Sequence, residues 1–553
     1  MQNGNKMQNR RLIYSTPVAI MSLILLGMIS AVSAEADKPG SWRQAERFSH
    51  VEGPMRERVD GLELSMISEI RAYLTDMLGP KRMQKIDQIM SPMHAWGSLG
   101  PHAPAGPEPP DGMFAKPGNS VRLEIPEDAA GSGTAEDPFV DVISGFLKQY
   151  DFRHHKIEEY YSTARNRGYP DRKDVSAYIQ SLAYEPVRVI LPAGHYHESL
   201  KRHDSPLTRQ SEFRTGINVP PRIWLEAEER GKTVIQPAID PKGERERGSL
   251  LHLHPRAGLI GCVLDGSTEP DFEPDERYIN AVTAHHEAVI AQNEIRRFTN
   301  AGIRAAGSRG RAGAYVTVYD NLIEWVGGSG VRSQSRWIIQ DNQIRYAGVL
   351  RSAGGGGDDG IIPGYADGGL ILNNLVILSK RPHGRHVISG HVADNVLVAG
   401  NVSVVERRED GTGLRNNIFF SDGSHDNWFV GNLAVATGRG ASPAIQSVGA
   451  NGYGNIIEYN ASINNPMGFR AMGREDQPLC YIRHNYAEYI RKGIHRSSQY
   501  EAYDNEMHRI QRPIPLINPE EYGFFQESSQ PSSPPATRDT AAVRHVAPAA
   551  VGR

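Results

Sequence analysis

VIAQNEI (289–295), VTVYDNLI (316–323), WIIQDNQI (337–344), LILNNLVI (370–377), VLVAGNVSV (396–404), FVGNLAV (429–435), IIEYNAS (456–462), YIRHNYA (481–487) and EAYDNEM (501–507) are variants of one short phrase. Each is a β-prone run with one asparagine in the same place, at Asn293, Asn321, Asn342, Asn374, Asn401, Asn432, Asn460, Asn485 and Asn505. The asparagines recur every 20 to 32 residues. That period is too short for a strand, a crossover helix and a second parallel strand, and it suits one coil of a solenoid that turns through loops. Gly302-Ile303, Gly330-Val331, Gly468-Phe469 and Gly493-Ile494 follow their asparagines by eight or nine residues and mark a second strand. In stacked parallel coils equivalent residues lie above one another at about 4.8 Å. A corner asparagine can then hydrogen-bond to the copies above and below it. These asparagines are read as the spine of the fold, without a chemical role, and the N-x-S sequons at Asn401 and Asn460 are read the same way.

This ladder, with aliphatic strands and Gly-Ile pairs between its rungs, resembles the right-handed parallel β-helix of the pectin-lyase-like superfamily over residues 119–515. The resemblance implies an all-β solenoid. It leaves activity open, because the superfamily includes lyases, hydrolases, epimerases and non-enzymes. GSGTAEDPF (131–139) and the turn Pro192-Ala193-Gly194-His195-Tyr196 resemble the opening segment of extracellular β-helix enzymes. The stretch between them predicts a helical cap at about 139–185, covering strand edges that an open solenoid end would expose.

Outside the solenoid, residues 1–34 read as a secretory signal: Arg10 and Arg11, an apolar core at 18–32, and a small-residue cleavage site at Val32-Ser33-Ala34. An uncleaved anchor is the alternative. Residues 35–100 carry helical periodicity from Leu62 to Leu78, stopped by Gly79-Pro80, and predict a helical appendage packed on the solenoid. Residues 101–118 form a Pro/Gly linker and 516–553 a Ser/Pro/Ala-rich tail predicted to be disordered. The expected location is secreted or periplasmic, with no membrane association after cleavage. A net charge of −3 over 553 residues speaks against a general nucleic-acid partner, and Cys262 and Cys480 read as buried thiols rather than a bridge. Oligomeric state is not legible. His252 and His254 alternate within one strand and so share a side. Packing is the ordinary reading of such a pair, and metal binding the other.

Chemistry is expected where four consecutive coils are enlarged, at 347–359, 379–386, 405–416 and 436–443. Insertions at one corner of a solenoid mark a binding face. They predict a groove along the axis, floored near Ile362, Ser389, His391, Phe420 and Gln446 and suited to a linear polysaccharide. Arg381, His386, Arg407, Arg408, Arg415 and His425 are the candidate substrate-binding residues, because guanidinium forks pair with carboxylates or sulfates. For a lyase acting on an acidic glycan, the candidate base and charge-neutralising groups are His391, Lys380 and Arg385. For a glycosidase, Asp358 and Asp359 supply paired carboxylates. Asp358-Asp359 with Gly390-His391 is similar to the Asp-Asp and Gly-His-Gly of galacturonase-type hydrolases, although Val392 stands where their second glycine does. Asp358, Asp359 and Asp367 also make a possible Ca2+ site; no other cofactor is expected. A non-catalytic glycan-binding or surface-structural protein is the alternative from another class. Accessory proteins of metal enzymes also use such repeats.

Overall fold

The asparagine ladder predicts coils, and the computed structural model consists of them. It describes residues 75–76, 79–90, 116–150, 152, 177–202, 213–238, 247–266, 278–306, 316–334, 336–349, 359–364, 366–378, 386–406, 416–421, 423–437, 446–473, 476–495 and 500–511. The signal segment, most of 35–100, the linker up to 115 and the tail lie outside the described residues, as does most of the cap. The solenoid is a right-handed parallel β-helix with three faces. The first face has 13 strands, one per coil, from Ser120–Arg122 to Tyr500–Tyr503. The second and third form a single sheet because Ala461–Met472 and Tyr486–His495 run unbroken around the corner between them. One coil reads Ile338–Gln340, Gln343–Ala347, Ile361–Pro363, and the next opens at Asp367–Leu372. Coiling starts earlier than the ladder suggests, since Ser120–Arg122 already pairs in parallel with Val187–Leu191.

Each ladder asparagine turns the chain from the first face to the second. The preceding residue is left-handed in every rung, for instance Gln292 (φ 61), Asp341 (φ 57), Gly400 (φ 66) and Tyr459 (φ 53). That conformation strains residues other than glycine, and the ladder offsets it. Asn374 Oδ1 accepts the backbone N–H and the Nδ2–H of Asn342, both at 3.0 Å. Its own Nδ2 donates to Ile339 O at 2.9 Å and to Asn401 Oδ1 at 3.0 Å. The side-chain contact repeats without interruption from Asn293 to Asn505. The sequons at Asn401 and Asn460 are fully buried in it. Cys262 occupies the ladder position one coil earlier, where its N–H donates to Asn293 Oδ1 at 3.0 Å. Both cysteines are free and buried, and burial pushes their thiols up to about 12 (Cys262) and about 11 (Cys480).

The Gly-Ile signal marks the corner into the third face. There the backbone passes so close to the next coil that a Cβ on Gly330 would lie 2.7 Å from Gly360 O, and one on Gly360 would lie 2.5 Å from Val387 O. The isoleucines that follow point inward and join one continuous core.

Helical material closes both ends. At the first, Val142–Leu147 packs beside the second coil. Asp141 precedes it but does not cap it: its carboxylate is drawn to Ser199 N (2.7 Å) and Lys201 Nζ (2.8 Å). Glu198 accepts the helix N–H groups instead, Ile143 at 2.9 Å and Ser144 at 3.3 Å. Glu198 is fully buried, and burial pushes its carboxyl up to about 7. A folded-state value above the unfolded 4.5 means stability that is full below pH 4.5 and declines as pH rises to about 7. The loss is on the order of 3 kcal/mol. Urea midpoints between pH 4.5 and 8 should show this slope in the wild type and a flat profile in Glu198→Gln. At the far end the helix Pro80–Met90 begins where the sequence pattern stops, after Gly79 (φ 82). It docks on the last coils, with Arg82 to Glu488 at 2.8 Å and Lys85 to Glu506 at 2.6 Å.

Candidate functional site

The outer surface of the third face is built from strand parity. Ile303, Val331, Ile361, Ile388, Ile418, Val448 and Phe469 stack inward. The residue after each therefore faces outward. The outward row reads Asn218, His252, Thr283, Arg304, Arg332 and Ile362, then Ser389, Phe419, Gly449, Arg470 and His495. A second outward row, two residues on, carries His254 and His285 and, farther along the axis, Gly364, His391 and Ser421.

The third-face strands contain Arg214, Arg247, Arg304, Arg332, Arg470 and Lys492 and not one aspartate or glutamate. The second-face strands, by contrast, include Glu198, Asp265, Glu294, Glu324 and Glu506. Half-buried Arg304 stacks directly on Arg332, and among the described residues neither has a hydrogen-bond or ion-pair partner. Burial and the Arg332 charge lower the Arg304 guanidinium to about 10. At the far end of the row, His495 is held below its ordinary value by burial and by Arg470 and Lys492. Among the described residues, positive charge therefore gathers in the middle of this surface and at its far end.

His391 sits at the end of its strand, partly exposed and outside the coil interior, with Nδ1 3.0 Å from Ser421 Oγ. Ser421 Oγ also lies 3.3 Å from Gly390 O; when the hydroxyl donates there, it receives the Nδ1–H and leaves the ring lone pair on Nε2. His386 lies partly exposed at the start of the same strand, its ring 5.9 Å from Phe419. The four long connections all join a second-face strand to the third-face strand of the same coil, as their common corner requires. Asp358, Lys380, Arg381, Arg385, Arg407, Arg408 and Arg415 lie on them outside the described residues, as does the side chain of Asp367.

Three expectations are corrected. Asp359 is buried at 1% exposure. Its Oδ1 accepts His386 N–H at 2.9 Å and its Oδ2 accepts the Ser389 hydroxyl, so the carboxylate anchors the next coil. Buried and bonded on both oxygens, it is not presented to the groove as one of an exposed carboxylate pair. His425 has Nε2 3.2 Å from Asp394 and Nδ1 3.0 Å from Asp426, and its ring stacks on Tyr453 at 4.5 Å. It locks the corner between the third and first faces. Phe420 points into the core and Phe419 outward, against Arg470. Ile362 and Ser389 do lie on the outward row, but at 3% and 1% exposure they underlie the surface.

Two features escaped the sequence reading. A second ladder joins Asn427 and Asn455 (3.0 Å) at the corner leading back to the first face, and NW and NI after a turn at 427–428 and 455–456 were its signal. The other is His285, which register places beside His252 and His254.

The chain is a right-handed parallel β-helix protein. No protein-family model matches it, and no curated protein matches it. Among solved structures it is similar to the catalytic unit of a GH87 α-1,3-glucanase from Streptomyces thermodiastaticus (12% identity, TM-score 0.40, 72% of this chain and 70% of that one). It is also similar to the A-module of mannuronan C-5 epimerase AlgE6 from Azotobacter vinelandii (12% identity, TM-score 0.38, 64% and 95%) and to pectate lyase Pel9A (11% identity, TM-score 0.33, 60% and 73%).

Proposed function

We propose that the outward rows of the third face bind an acidic polysaccharide along the solenoid axis, and that the protein is a secreted or periplasmic polysaccharide lyase. The observation that carries the reading is the charge of this face: strands rich in arginine and free of carboxylates, with an Arg304–Arg332 stack that has no ion-pair partner among the described residues. A guanidinium pair without a counter-ion attracts carboxylate or sulfate. A row repeating at about 4.8 Å presents such groups to a linear chain. His391 fits the base. Its Nε2 would take the proton beside a uronate carboxylate, the electron pair would form the new carbon–carbon double bond, and the glycosidic oxygen would leave and be protonated. Arg332 stands two strand spacings, about 10 Å, from the His391 coil, so it would hold a neighbouring sugar. Lys380 and Arg385 would neutralise the carboxylate of the reacting one. The glycosidase reading is weaker because Asp359 is committed elsewhere.

The test is retardation of the mature protein in gels containing uronic-acid polymers, with neutral dextran and single-stranded DNA as controls. Binding to at least one uronic-acid polymer, at least ~10-fold weaker in Arg304→Ala/Arg332→Ala, is expected, since two charge-assisted contacts are lost. Equal retardation by dextran or DNA, or a double variant that binds like the wild type, would refute the reading.

A further inference from the structure

We propose that His252, His254 and His285 form a binding site for a divalent transition-metal ion of the zinc class, on the outer side of the third face near its first coils. The sequence shows only the alternating pair in LLHLH. Register supplies the third ligand: His285 N donates to Leu253 O, which sets His285 directly above His254 in the next coil. His252 precedes His254 by two residues on the same side of the strand. Three imidazoles therefore converge from two adjacent coils.

One ring nitrogen from each lies within 4.8 Å of the other two. His252 Nε2 and His285 Nε2 are 2.8 Å apart. Nitrogens bound tetrahedrally at 2.0–2.1 Å would be about 3.3 Å apart, so closing on an ion asks for about half an ångström of opening in this pair and up to about 1.5 Å of approach by the third ring, within reach of a side-chain rotation. The rings are nearly parallel, with centroids at 4.7, 4.8 and 5.3 Å, and Phe152 abuts His254 at 4.8 Å. At 7%, 0% and 1% exposure all three rings are buried. If the role were packing alone, apolar side chains would fill the space without burying six ring nitrogens. Imidazole-only ligation selects zinc, copper, nickel or iron over calcium or magnesium. Three protein nitrogens leave at least one coordination position for water or a ligand. The neighbouring outward residue one coil on is Arg304, paired with Thr283, so an anion drawn to the arginines would arrive beside the ion. The metal site does not depend on the polysaccharide reading.

The experiment uses the mature chain, stripped with chelator and then dialysed against Zn2+ or Co2+. Elemental analysis should find about one equivalent of zinc retained. The Co2+ form should show the visible d–d bands of a four- or five-coordinate nitrogen site. His254→Gln and His285→Gln should each lose the retained equivalent and the bands, with affinity at least ~10-fold weaker against a chromophoric chelator. Wild-type protein without retained zinc or visible bands, or variants that keep both, would overturn the proposal. Should a variant fail to fold, the Co2+ spectrum of the wild type decides alone.

Discussion

Asn374→Ala will not fold to a stable solenoid. The substitution deletes four hydrogen bonds in the middle of the ladder, two accepted from Asn342 and two donated to Ile339 O and Asn401 Oδ1. The partners are buried, Asn342 at 0% and Asn401 at 0%, so water does not replace what is lost. Each buried group left unpaired costs about 1–3 kcal/mol, and a total of about 4–6 kcal/mol is a large part of the stability of a typical domain. Coils contact only their neighbours, so a broken central rung separates two stacks. Soluble yield and urea midpoint should both collapse. Asn505→Ala is the control: its rung is the last, partly exposed, and holds only Asn485 and two carbonyls. It should lose no more than about 2 kcal/mol.

His391→Ala has the second large effect, on turnover. On the proposed reading the ring abstracts the proton, and a positioned general base contributes about 10²–10⁴-fold. The side chain is partly exposed and reaches Ser421 Oγ at the end of its strand, so the urea midpoint should move by less than about 1 kcal/mol equivalent. Glycan retardation should stay within ~3-fold, because the arginine stack remains.

The spine was legible because an amide ladder needs the same residue at the same corner in every coil, and nothing else explains nine asparagines in step. The strands between rungs followed from their aliphatic runs and the Gly-Ile pairs. The site was legible only to the corner. Parity within a strand depends on one residue, and misplacing it put Phe420 on the surface where Phe419 belongs. The aspartate after the glycine run at 354–357 reads as solvated, since nothing in GGGGDDG reveals that its last acid meets the N–H of His386 a coil away. The absence of carboxylates from the third-face strands is present in the sequence, yet it becomes visible only after each strand is assigned to a face. His285 was hidden for the same reason: TAHHE and LLHLHP are neighbours in space only once their coils are aligned.

The proposed function is tested most directly by incubating the mature protein with uronic-acid polymers and following, in parallel, the ultraviolet absorbance of unsaturated sugar and the release of reducing ends. The account predicts that both rise together on at least one polymer bound in the gels, and that both fall at least ~100-fold in His391→Ala. Reducing ends without unsaturation would make the protein a hydrolase. Tight binding without either signal would make it a glycan-binding β-helix with no elimination chemistry. Either result would contradict the lyase assignment.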